Sequence, residues 1–318
     1  NADGDLVSHA RAVTLVPNQP VERWLYARTR PTERLSSALD EDFTLRLFQA
    51  RDGRALKQLA ELSFRPSGVA QPSVPVGLSQ GMIAVLGGDR MGLETLQASL
   101  DGRVVPSMNE LTHVATGNRV ADLPDRWEGL CQFETIVWRG DGPQDLGAEQ
   151  AKALRQWIAR GGHLVIVLPD AGDPWGVRGG AGGHALSDVL PTAAASRVDG
   201  VTVASMLPAL AKGRDLRRSG ATVSMTLFSP SKLDRGWTPL LAVPDGIRPR
   251  EAQGLCFVVQ RSLEHGRISM VGLDLESLHR AGLAADGLPQ ADVFWNRVLG
   301  RRADAPTDRK STRLNSSH

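Results

Sequence analysis

Two stretches of this chain are apolar without interruption, Met82 to Leu86 and Leu164 to Leu168. Such short runs, bounded by glycine, proline or polar residues, predict strands buried on both faces, because a half-buried strand would alternate. A third strand is predicted over Phe133 to Trp138. Between these strands, Leu146, Leu154, Trp157 and Ile158 recur at helical spacing and predict a helix over 146–160. Gln150 is a polar exception on that face, and Gly161-Gly162 stands where a helix C-cap belongs. The spacing also predicts helices over about 91–100, 124–130, 184–190 and 289–299, and strands near Arg103 to Met108, Val198 to Ala204 and Ala221 to Phe228. Leu255 to Gln260 and Arg267 to Leu273 read as a hairpin turned at Glu264-His265-Gly266. Strands alternating with helices predict an α/β fold with a mostly parallel sheet flanked by helices over residues 81–302.

The texture before residue 80 is different. Ala12 to Val16, Val21 to Ala27 and Phe43 to Phe48 are short apolar or alternating runs between Pro17, Pro20, Pro31 and the Asp52-Gly53 turn. They predict a partial β-sandwich over 1–65 whose earlier strands lie outside this chain. Residues 66–80, with Pro66, Pro72 and Pro75, read as a linker. Residues 303–318 read as a disordered tail. Its last part, Asp308 to His318, resembles codon for codon the translation of a common sequencing adapter and is set aside from fold reasoning. The chain starts at Asn1 without a leader-like segment, so any start or signal is expected to lie outside it.

Composition narrows the class. Of 318 residues, 41% are hydrophobic and 23% charged, which is too apolar for a disordered chain, and two cysteines cannot build a disulfide framework. No run approaches the roughly 20 apolar residues of a membrane span. The net charge of +2 rests on the tail, Arg309, Lys310 and Arg313 against Asp308, so the body is neutral. The basic cluster Lys212, Arg214, Arg217 and Arg218 contains Asp215 and has no interleaved aromatic residue, which argues against nucleic acid as a partner.

Candidate chemistry gathers at predicted strand ends. Gly88, Asp89, Arg139, Asp141, Asp170, Asp173, Trp175 and Asp274 all follow such ends and can converge on the crevice at the carboxyl edge of a parallel sheet. Two acids there can serve as acid and base or hold a divalent cation, or they can be ordinary turn aspartates. Trp175 can stack on a ligand or pin its glycine-rich loop. Gly87-Gly88-Asp89-Arg90-Met91-Gly92 occupies the position of a phosphate-binding turn but has neither known glycine spacing. Cys131 and Cys256 look like core residues, no GxSxG is present, and the histidines show no metal-binding spacing. No catalytic residue, metal or cofactor is assigned.

The block FETIVWRGDGPQDLGAEQAKALRQWIARGGHLVIVLPDAGDPWG, with the later GRISMVGLDLES, resembles the class I glutamine amidotransferase-like superfamily. Within it, the block is most similar to a non-catalytic branch of bacterial membrane-associated proteins of unknown function. The resemblance covers about residues 80–300 and implies an amidotransferase or flavodoxin-like α/β domain. It also implies that the nucleophilic cysteine elbow would follow Leu164 to Leu168, where this chain has Pro169-Asp170-Ala171-Gly172. The partner His-x-Glu would follow Ile268 to Gly272, where this chain has Leu273-Asp274-Leu275-Glu276. Both catalytic groups are missing from the matching positions. The implied function is therefore a non-catalytic binding or scaffolding domain of a bacterial envelope protein, with a protein partner there. The intact protein would be extracytoplasmic and anchored to the membrane only through segments outside this chain. The alternatives are a carboxylate-based hydrolase or a small-ligand sensor using the same crevice.

Overall fold

The uninterrupted apolar runs form the middle of a nine-stranded mixed sheet in the computed structural model of the chain. The structure describes residues 43–52, 54–64, 81–88, 91–93, 112–140, 142–179, 183–191, 194–203, 206, 210, 222–244, 249–276 and 292–300. It also describes short pieces at 10–15, 18, 20–21 and 24–26. The chain divides into two compact units, residues 1–80 and 81–318.

In the second unit the strands are β3 (Gly81–Leu86), β4 (Thr112–Asn118), β5 (Thr135–Arg139), β6 (His163–Val167), β7 (Ala195–Thr202), β8 (Thr222–Phe228), β9 (Trp237–Ala242), β10 (Cys256–Leu263) and β11 (Gly266–Val271). Their order is β4-β3-β5-β6-β11-β10-β8-β7, with β9 also paired to β10. The pairings from β4 to β11 are parallel, and those among β11, β10, β9, β8 and β7 are antiparallel.

The expected mostly parallel, helix-flanked sheet is thus corrected. Only one half of the sheet is parallel, and two α-helices are delineated among the described residues, α1 (Ala148–Ala159) and α2 (Asp292–Val298). Antiparallel neighbours need no crossover helix, and β10 joins β11 directly by a tight hairpin. The helices expected over 124–130 and 184–190 are the short 3-10 turns Trp127–Leu130 and Ser187–Val189. The strand expected near 103–108 and most of the helix over 91–100 lie outside the described residues, as does the tail from 301. Strands β4 and β9 fall where no element was predicted. β4 carries Gly117 and ends in Asn118, β9 contains Pro239, and each has one described neighbour, so neither needs the apolar texture of a central strand.

Both faces of the central strands are covered, as their sequences demand. Ile83, Val85, Val137, Val165 and Val167 join one core with Phe294 and Trp295 of α2. The alternate residues Leu86, Ile136, Trp138, Leu164 and Ile166 join the other with Leu154, Trp157 and Ile158 of α1. The polar exception on α1 has a purpose. Gln150 Oε1 accepts from the Gly147 N–H at 2.9 Å, capping the helix, while its Nε2 donates to the carbonyls of Ala121 and Leu123. At the other end the Gly161 and Gly162 N–H groups close onto the Ile158 and Trp157 carbonyls. Gly272 joins the two halves of the sheet. Its N–H donates to Phe257 and its carbonyl accepts from Thr226, so closely that a Cβ would collide with the Thr226 carbonyl.

In the first unit the described strands are β1 (Phe43–Arg51) and β2 (Arg54–Phe64), one antiparallel hairpin with two bulges. Leu45 lies opposite Leu62, and Arg46 pairs with Glu61 at 2.8 Å. Residues 12–15 and 24–26, within runs expected to be strands, carry no strand assignment, and most of the rest of residues 1–42 lies outside the described residues. No helix among the described residues is long and apolar enough to cross a membrane.

One buried polar group sets a pH dependence. His163, 2% exposed at the start of β6, shares a 2.8 Å hydrogen bond with Ser269 Oγ, which also accepts from Gln260 Nε2. Burial, and secondarily the charge of Arg267, pushes its pKa from 6.5 down to about 3. The unfolded chain therefore takes up this proton before the folded one does, and stability falls as the pH drops from about 6.5 toward about 3. Urea unfolding followed between about pH 7 and pH 4 should show this slope in the wild type and a shallower one in His163→Gln.

Candidate functional site

Strands β3, β5, β6 and β11 run in the same direction, so their carboxyl ends share one edge. That edge brings together Gly88 after β3, Arg139 at the end of β5, Asp170 after β6 and Asp274 after β11. Asp89 and Asp141 lie outside the described residues.

Arg139 organises the edge. Its Nε and Nη2 donate to Oδ1 and Oδ2 of Asp274, each at 2.9 Å, and its Nη1 pairs with Glu276 Oε2. Asp274 is 2% exposed and Arg139 13%. Burial works against the guanidinium charge, but the hydrogen bonds and charge of Asp274, with the charges of Glu276 and Asp170, outweigh it and raise the Arg139 pKa. Asp274 also accepts from the Glu276 N–H at 3.1 Å, which bends the chain so that both acids reach one arginine.

The glycine turn after β3 serves the same arginine. Gly87 has φ of +69°, and a Cβ there would collide with the Arg139 carbonyl. At Gly88 a Cβ would come within 2.9 Å of Arg139 Cδ. The turn that resembled a phosphate cradle is filled by the arginine side chain and backbone.

The loop after β6 is held by Asp173, whose carboxylate accepts from the N–H groups of Val177 at 3.1 Å and Arg178 at 2.9 Å. Trp175 is 2% exposed and meets Trp138 edge-on, with ring centroids 5.0 Å apart. It pins the loop and presents no face for a ligand. An open cleft of about 660 Å³ lies between this loop and the one after β5, walled by Gly140, Gly142, Asp145, Gly172, Asp173 and Pro174.

The thiols lie apart from this arrangement. Cys256 is buried, and desolvation pushes its thiol up to about 11. Cys131 is exposed, and its Sγ donates to the Glu128 carbonyl at 2.9 Å. Among the described residues no group of three or more His, Cys, Asp or Glu is placed to hold a metal ion. Asp170 and Asp274 both act on Arg139, and both Asp274 oxygens are engaged by it.

Glu276 was not among the sequence candidates. Its signal was the Asp-x-Glu spacing after β11, which is uninformative until Arg139 is known to face it.

No family model and no curated protein matches the chain. Solved structures do resemble it. A cytoplasmic protein from Salmonella typhimurium is 9% identical over 83% of this chain and 97% of its own, with a TM-score of 0.40. A second cytoplasmic protein, from Salmonella typhimurium LT2, is 12% identical over 82% and 96%, with a TM-score of 0.35. An exo-beta-1,4-mannosidase from Opitutaceae bacterium strain TAV5 is 15% identical over 69% and 36%, with a TM-score of 0.36.

Removing one partner of a buried ion pair leaves an uncompensated charge and costs about 3–5 kcal/mol, while replacing both partners with apolar residues costs much less. Asp274→Leu, which leaves Arg139 with Glu276 and the charge of Asp170, is expected to show a loss toward the lower end of that range in urea unfolding, and the triple variant Arg139→Met, Asp274→Leu and Glu276→Gln to recover a large part of it.

Proposed function

We propose that this chain is a non-catalytic binding or scaffolding domain of the amidotransferase-like kind, working with a protein partner at a bacterial envelope. The observation that carries the non-catalytic part is the commitment of Arg139, Asp173, Asp274 and Glu276, among the described residues, to holding the fold at the carboxyl edge. Arg139, Asp274 and Glu276 bind one another, Asp173 caps its own loop, and Trp175 is core. The thiols support the same reading. A cysteine nucleophile requires a lowered pKa and an adjacent base, whereas burial raises the Cys256 thiol. The envelope setting and the partner rest on the sequence resemblance. The open cleft between the loops after β5 and β6 offers a surface for binding without chemistry.

Purified protein incubated with glutamine should release ammonia at the background rate, and Cys131→Ala and Cys256→Ala should leave that rate unchanged. Ammonia release that either substitution abolishes would overturn the proposal.

A further inference from the structure

Three of the side chains that tie down the loop walling the cleft are Asp173, Gln144 and His184, beside Arg178, which donates to the Gly172 carbonyl. Asp173 accepts from Val177 and Arg178, Gln144 Nε2 donates to the Pro174 carbonyl at 3.1 Å, and His184 grips Trp175. His184 differs from the other two in needing one particular protonation state. The Leu186 N–H donates to His184 Nδ1 at 3.2 Å, so Nδ1 is the unprotonated nitrogen. The ring proton is then on Nε2, which lies 3.2 Å from the Trp175 carbonyl and donates to it. The imidazole also meets the Trp175 indole edge-on, with centroids 5.8 Å apart.

We propose that His184 is a proton-operated latch on this cleft. A proton taken from solvent onto Nδ1 converts the acceptor into a donor facing the Leu186 N–H. Two donors then oppose each other, and the ring leaves its place between Trp175 and Leu186. Trp175 loses its carbonyl partner, and the adjoining cleft wall, Asp173 and Pro174, loses one of its anchors. Protonation of His184 therefore loosens the cleft wall, and the neutral ring holds it. The described charged groups on the surrounding elements come as opposite pairs. Asp173 faces Arg178 at 3.9 Å, and Asp188 binds Arg155 of α1 and feels Arg261 of β10. Arg155 also donates to the Ala185 carbonyl, so the segment beyond His184 stays anchored when the latch opens.

The test is NMR on the full chain, following the His184 ring resonances, the Leu186 amide exchange and the Trp175 indole resonance as pH is lowered. Protection of the Leu186 amide, corrected for intrinsic exchange, is expected to fall about tenfold, the worth of about one hydrogen bond. The fall and the Trp175 shift should follow the titration of His184 itself. His184→Phe keeps an edge-on ring but neither hydrogen bond, and should show low protection at every pH with no step. Leu186 protection that stays constant while His184 titrates would overturn the latch, as would a step that persists in His184→Phe. The wild-type titration alone decides the matter if that variant does not fold.

Discussion

The bidentate bond between Arg139 and Asp274 is the constraint around which the carboxyl edge is built. It reaches from the end of β5 to the segment after β11, across the intervening strand β6. A buried guanidinium has to be matched in charge and geometry, and a carboxylate on the far side of β6 supplies both. The glycines after β3 are bare where the arginine packs, and Glu276 folds back to take up another of its N–H groups. Polar groups that would be available for chemistry in an open crevice are spent in holding four strand ends together.

The sheet shows why an edge of this kind can exist in a protein that is only half parallel. The parallel strands align their carboxyl ends and so create a crevice, whereas the antiparallel strands beyond β11 close the far side of the sheet without contributing to it. Gly272 follows β11, where the direction changes, and is bonded to both Phe257 of β10 and Thr226 of β8. A side chain there would push the Thr226 carbonyl away and part the two halves.

Polar groups elsewhere are likewise placed by particular partners. Gln150 sits on the apolar face of α1 because the helix start and the 121–123 turn both need a hydrogen-bonding partner. His184 is held by one bond given and one received, which makes its grip depend on a single proton. His163, sealed between β6 and β11, keeps its neutral form because charging it would cost too much in that environment.

Sequence by itself determined the local and periodic features. Runs such as Leu164 to Leu168 could only be strands covered on both faces, the 146–160 pattern could only be a helix stopped by Gly161-Gly162, and Glu264 to Gly266 marked a tight hairpin. These signals are carried by neighbouring residues, so they survive without knowledge of the fold. Tertiary structure decided which strands lie side by side and in what direction. It thereby halved the parallel sheet, turned two expected helices into 3-10 turns, and recruited β4 and β9 from unremarkable sequence. It also decided the candidate site. Arg139 and Asp274 stand 135 residues apart in the chain, and no spacing rule links them. Only the pairing of β5 and β11 with β6 brings the guanidinium to the carboxylate, and that pairing is set by the packing of two cores at once.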